Sequence, residues 1–244
     1  MNEHSYSYLE VWGVTDKGKI RDANQDAILV SPEAGLFVVA DGVGGLTGGE
    51  IASTAITESL GKICKEEQTN KCFSELQSKE ALIKMQLIQI NDWLIAQNRI
   101  EDNFRPCSTV VAVTVADDQP DCIASLHVGD SNLYRVRDDT IESIIELHEA
   151  KNQAGNAISR AMGATTLLNV DQNLFTIKPD DYYILCSDGL YRMLSDQEII
   201  GVLREKKAEG VRAITETLLD YANLAGGSDN ISVVVIRVKD VPQK

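Results

Sequence analysis

No two of the five cysteines (Cys64, Cys72, Cys107, Cys122, Cys186) are spaced as Cys-x-x-Cys. Neither a disulfide framework nor a thiolate metal site is indicated, and they read as reduced thiols of an intracellular protein, mostly packed as small apolar residues. No apolar run approaches the roughly 18 residues needed to cross a bilayer. The start, MNEHSYSYLEVWG, lacks a basic stretch followed by an apolar one, so no secretory signal is expected and the protein is placed in the cytoplasm, off the membrane. Basic residues are outnumbered, 23 Lys+Arg against 37 Asp+Glu for a formal charge of −14. That balance argues against a nucleic-acid partner and against an anionic membrane surface. An anionic substrate would need a recruited cation to hold it.

Several catalytic signatures are missing too. The glycine-rich stretch at 42–49 (GVGGLTGG) has no Gly-Lys-Ser/Thr and no GxGxxG spacing, which removes the P-loop and dinucleotide readings. No Gly-x-Ser-x-Gly elbow is present, and neither Cys107 nor Cys186 has an activating neighbour in sequence. The three histidines, His4, His127 and His148, are scattered, and His127 lies inside an apolar run, as a core histidine would. No repeat, low-complexity tract or Pro/Ser-rich linker divides the chain, so residues 1–244 are expected to form a single domain. A domain of that length buries about 70–75% of its unfolded surface and needs no disulfide to fold.

What is present is a series of short apolar runs: 27–30, 36–40, 110–116, 123–128, 133–136, 182–186 and 231–238. Their length, β-branched content and Gly/Asp/Pro boundaries predict strands. Helical periodicity appears over 50–66, and over 79–98 through Ile83, Leu87, Ile90 and Leu94. Ser195-Asp-Gln-Glu198 is a capping-box pattern opening a helix through Leu203, and a last helix is predicted from Val211 to Leu224, stopped by Gly226-Gly227. Strands mostly following one another suggest antiparallel sheets with helices outside, an α+β layered sandwich.

Acids sit where these runs begin or stop. Asp41 follows LFVVA and precedes Gly42; Asp130 follows SLHVG; Asp188 follows YYILCS; Asp229 precedes Asn230 and ISVVVIRV; Asp26 precedes AILV. Carboxylates converging on one edge of a sheet would repel one another unless a cation lay between them, and oxygen-only ligands suit Mg²⁺ or Mn²⁺ rather than zinc. Any single Asp-Gly pair reads equally as turn chemistry capping its own strand. At this point both readings stand.

With these residues in place the chain resembles the metal-dependent protein serine/threonine phosphatases of type 2C, in their bacterial branch. The matching stretches, in the family's order, are RDANQD at 21–26, VVADGVGG at 38–45, STVVAV at 108–113, HVGDSNLYRV at 127–136, ISRAMGA at 158–164, LCSDGLYRML at 185–194 and SDNISVVV at 228–235. The resemblance implies a four-layer α-β-β-α sandwich around two central antiparallel sheets. It implies that Asp41 bridges two Mn²⁺ or Mg²⁺ ions, with the Gly42 carbonyl on the second and Asp188 and Asp229 on the first. Asp130 would hold the third ion of bacterial members, sharing Asp188. Arg21 would grip the substrate phosphate, and Gln25, Asp26 and Asn230 would stand behind the ligands. Two such ions, roughly 3.5–4 Å apart, hold a hydroxide that attacks phosphorus directly. The implied substrate is a phosphoserine or phosphothreonine protein, the target of a kinase or the kinase itself, with the enzyme a monomer by default.

The departures are specific. Gln25 stands where many relatives carry Glu, which predicts weaker occupancy by the second ion. Val43 replaces a histidine that protonates the leaving group in eukaryotic enzymes, Asn132 replaces the Arg usual after Gly-Asp-Ser, and Cys107 replaces a Gly. Residues 140–157 (TIESIIELHEAKNQAGNA) are all that remains of a longer flap with an Asp-His-Ser element. Gln25 and the short flap motivate two alternatives: a catalytically weak phosphoprotein-binding domain, and a phosphatase of a small phosphate ester.

Overall fold

The computed structural model describes residues 6–43, 45–67, 73–98, 104–152 and 155–241. His4, Gly44, Cys72 and residues 153–154 of the shortened segment lie outside them. Each predicted apolar run is a strand: β2 (Asp26–Ser31), β3 (Leu36–Val43), β5 (Val110–Thr114), β6 (Cys122–Val128), β7 (Asn132–Arg137), β12 (Tyr182–Cys186) and β13 (Ile231–Val238). Further strands are β1 (Leu9–Asp16), β4 (Cys107–Ser108), β8 (Thr140–Ser143), β9 (Glu149–Asn152), β10 (Gly155–Ile158) and β11 (Asp171–Thr176).

One sheet runs β1-β13-β12-β7-β8 and the other β11-β6-β5-β3-β2, with β4 pairing β3 and β9-β10 forming a separate hairpin. All pairings are antiparallel.

The strand period of two sorts the core into layers. From β3, Phe37 and Val39 face the other sheet, while Leu36, Val38 and Ala40 face helices. From β13, Val234, Ile236 and Val238 join the layer between the sheets, and Ile231, Val233 and Val235 face the opposite helices. Both faces are covered, so these strands read as unbroken apolar runs rather than alternating ones. Each fully buried Leu, Ile or Phe contributes about 1.5–3 kcal/mol.

Helix α1 (Gly45–Glu67) and α2 (Leu76–Ala96) cover one sheet; α3 (Asp188–Tyr191), α4 (Asp196–Lys206) and α5 (Val211–Leu224) cover the other. The Ile83, Leu87, Ile90 and Leu94 stripe of α2 is buried. The capping box of α4 is formed: the Glu198 amide donates to Ser195 Oγ, and the Ser195 amide donates to Glu198 Oε2 at 2.8 Å. Gly227, with φ +53°, turns the chain after α5, its amide donating to the Ala222 carbonyl.

One polar residue on the inner face of α2 was not anticipated. Lys79 is fully buried, its ammonium donating to the carbonyls of Ala34, Gly35 (3.4 Å) and Val115 (2.6 Å). It also lies 4.9 Å from the Phe73 ring centroid and 5.5 Å from that of Tyr6. Burial pushes its pKa down from 10.5 to about 7.

Candidate metal centre

Antiparallel pairing brings the acidic strand ends to one edge. Cys186, near the end of β12, pairs with both Asn132 at the start of β7 and Val233 at the start of β13. Asp188, Asp130 and Asp229, a few residues beyond, therefore project from one end of that sheet. In the other sheet Asp26 pairs directly with Asp41.

The electrostatics show that the two groups meet. Burial pushes the Asp41 carboxyl well up, and the charges of Asp26, Asp188, Asp130 and Asp229 push it further. Burial raises Asp26 to about 7, with added repulsion from Asp188 and Asp229. Asp130 rises to about 6, first by burial and then by Asp188. Asp188 is raised by burial, with Arg192 opposing.

Each acid is held by backbone chemistry around it. The Asp41 amide donates to Thr109 Oγ1 at 3.2 Å, and its carbonyl accepts from the Thr109 amide (2.8 Å) and the Ser108 hydroxyl (2.9 Å). The Gly42 amide donates to the Gln25 carbonyl at 3.1 Å. A Cβ at Gly42 would lie 2.3 Å from the Gly49 carbonyl oxygen and 2.4 Å from that of Gln25, so only glycine fits there. Asn230 organises the loop that carries Arg21. Its Oδ1 accepts from the Gln25 amide at 2.8 Å, and its Nδ2 donates to the carbonyls of Lys17 and Ala23, both at 2.9 Å. That loop places Arg21 Nη2 2.7 Å from Asp229 Oδ2, with about half of the arginine side chain exposed.

The donor set fits a hard divalent cation. Both carboxylate oxygens of Asp26 and Oδ1 of Asp130 are buried without a hydrogen-bond partner. Ser187 and Ser232 flank Asp26, but their hydroxyls donate to the Asn230 carbonyl and to Thr15 Oγ1. Buried carboxylate oxygens without a hydrogen-bond partner, beside the Gly42 carbonyl, are ligands that would suit a hard divalent cation such as Mn²⁺ or Mg²⁺.

Two arrangements were not read from the sequence. Arg192, one helical turn after Asp188, lies 2.8 Å from Asp188 Oδ2 and 3.4 Å from Asp130 Oδ2. Its signal was the i,i+4 acid–base spacing. The two scattered histidines are also brought together, His127 stacked on His148 at 4.4 Å between centroids, with ligand-capable atoms of His127, His148 and Asp171 within 4.8 Å of one another. Arg160 already serves that trio, 2.6 Å from Asp171 Oδ1 and 3.0 Å from His148 Nε2. His148 accepts from the Gly129 amide through Nδ1, and its own amide donates to the Gly129 carbonyl, each at 2.9 Å. It thereby braces the turn that presents Asp130.

Residues 19–225 match the protein phosphatase 2C family. The chain is 27% identical over 242 residues to the serine/threonine phosphatase Stp of Listeria welshimeri, spanning 91% of this chain and 93% of that protein. Among solved structures, the S. agalactiae serine/threonine phosphatase superposes with a TM-score of 0.85 at 29% identity, over 95% of this chain and 100% of its own. PppA, described as a key regulatory component of T6SS in Pseudomonas aeruginosa, gives a TM-score of 0.84 at 29% identity, over 94% and 97% of the two chains.

Proposed function

The chain belongs to the protein phosphatase 2C family, and from that premise we propose that it is a metal-dependent phosphatase hydrolysing phosphoserine and phosphothreonine on proteins. The whole chain is read as one catalytic domain, acting in the cytoplasm as a monomer on a protein phosphorylated by a partner kinase or on that kinase. The observation carrying the assignment is the gathering of mutually repelling carboxylates, Asp41 at their centre, beside Arg21.

In this reading Asp41, the Gly42 carbonyl, Asp188 and Asp229 would hold the core Mn²⁺ or Mg²⁺ ions, with Asp26 at the start of β2 and Gln25 just before it supporting Asp41 and Gly42. The chemistry such ions supply when bound is neutralisation of charge and activation of water near neutral pH. The remaining steps belong to side chains of this chain. Arg21 uses its exposed guanidinium N–H groups to grip phosphate oxygens, while Nη2 stays anchored on Asp229. Its fixed charge favours the extra negative charge that develops on those oxygens as the bond to water forms. Asn230 keeps the loop from Lys17 to Gln25 in register so that the grip is preorganised. The bond broken is between phosphorus and the serine or threonine oxygen, which takes its proton from water or from another group, since exposed Val43 has none to give.

The test is phosphate release from a phosphothreonine peptide with Mn²⁺ titrated, Asp41→Asn run beside the wild type. The expected result is Mn²⁺-dependent turnover that the variant loses. Folded wild-type protein with no turnover at any Mn²⁺ concentration would overturn the enzyme reading in favour of phosphoprotein binding. A strong preference for metabolite phosphates would overturn the protein-substrate assignment alone.

A further inference from the structure

Arg192 occupies a position that matters to the ion count. Its guanidinium reaches both carboxylates that the family resemblance would give to a third ion, Nη1 on Asp188 and Nη2 toward Asp130. Both ends of this clamp are anchored. The Arg192 amide donates to the Asp188 carbonyl at 3.0 Å, fixing the helical turn between them. The Tyr191 hydroxyl donates to the Asp130 carbonyl at 3.0 Å, and His148 holds Gly129 from the other side.

We infer that Arg192 supplies the positive charge between Asp130 and Asp188, so that this chain loads the core ions and takes no third ion at that edge. The inference rests on the metal-centre reading above. With Arg192 in place the Asp130–Asp188 pair carries one net negative charge instead of two, and the nearby charge of Glu149 holds Arg192 there as well. A divalent ion entering there would meet a fixed cation within ion-pair distance of both of its ligands, and like charges at that range oppose binding. Guanidinium remains protonated at every working pH, so this cation neither dissociates nor depends on metal supply. Asp130 keeps one bare oxygen, Oδ1. Asp188 has Oδ2 on Arg192 and is also drawn on by the core ions, so within this pair Asp130 Oδ1 is the oxygen left for a third ion.

The experiment counts bound Mn²⁺ per chain by equilibrium dialysis and metal analysis, carried into the millimolar range, on full-length wild type, Arg192→Met and Arg192→Lys. The expected result is two ions in wild type and in Arg192→Lys. Arg192→Met should bind an additional, weaker ion that disappears when Asp130→Asn is added. Three ions in wild type, or no gain in a folded Arg192→Met, would overturn the role of Arg192. Fewer than two ions in wild type would instead overturn the metal centre itself, and so separates failure of the premise from failure of the inference.

Discussion

Replacing Lys79 by Met sets three effects against one another, and their magnitudes decide what is measurable. The fall of the Lys79 pKa from 10.5 to about 7 corresponds to about 5 kcal/mol of penalty on the charged form in the folded state. Met removes that penalty. It also strips the Ala34 and Val115 carbonyls of the donor that Lys79 gives them, at about 1–3 kcal/mol each, and forfeits the ring contacts with Phe73 and Tyr6, about 0.5–2 kcal/mol each. At pH 7 the losses, about 3–10 kcal/mol together, straddle the gain, so the sign of the absolute change is not diagnostic. The pH dependence is. Between pH 7 and 10.5 the unfolded lysine holds a proton that the folded one has released, so wild-type stability gains as pH rises, by about 1.4 kcal/mol per pH unit relative to Lys79→Met. Urea unfolding of both proteins in EDTA at pH 7.5 and 9.5 should show the difference moving by about 2–3 kcal/mol in favour of wild type. A difference that stays flat would refute the reasoning. It would mean that carbonyls and rings hold the ammonium charged with its ordinary affinity for protons.

Two further outcomes are expected at the centre. Gly42→Ala forces a Cβ into the backbone oxygens of Gly49 and Gln25; it should cost about 1–3 kcal/mol of stability and sharply reduce phosphate release while circular dichroism stays native, and full activity in that variant would contradict the close packing described. Because burial and mutual repulsion raise Asp41, and burial raises Asp188, above the usual carboxylate range, protons compete with the core ions for those ligands, so the Mn²⁺ dissociation constant measured calorimetrically should rise as pH falls from 8 to 6, by about tenfold for each proton displaced per pH unit. An affinity independent of pH across that range would rule the competition out.

Legibility followed burial. Strands covered on both faces, such as β3 and β13, appear in the sequence as continuous apolar runs. β1 is only half-buried and interrupted by Gly13, and β11, at the edge of its sheet, exposes Leu174 and leaves the polar Asp171 and Asn173 partly buried, so neither stands out. Helix α5 was readable to its ends because its apolar stripe and the glycines after it agree. The acids Asp26, Asp41, Asp130, Asp188 and Asp229 were readable because antiparallel pairing turns strand ends into neighbours. The guanidinium between Asp130 and Asp188 was not, since half of that contact spans 62 residues. Lys79 was hidden for the opposite reason. Its partners are main-chain oxygens, which no side-chain pattern records.

The register of β1 against β13, from Leu9 opposite Val238 to Asp16 opposite Ile231, has a consequence for synthesis. β1 must wait for β13 to be made before their hydrogen bonds can form. Loop closure over such a span is slow compared with local pairing. The same delay applies to Arg21 and Asp229, whose contact spans 208 residues. A nascent chain halted before β13 therefore has neither a finished sheet nor a phosphate grip, and dephosphorylation cannot begin before Asp229 and β13 have been made.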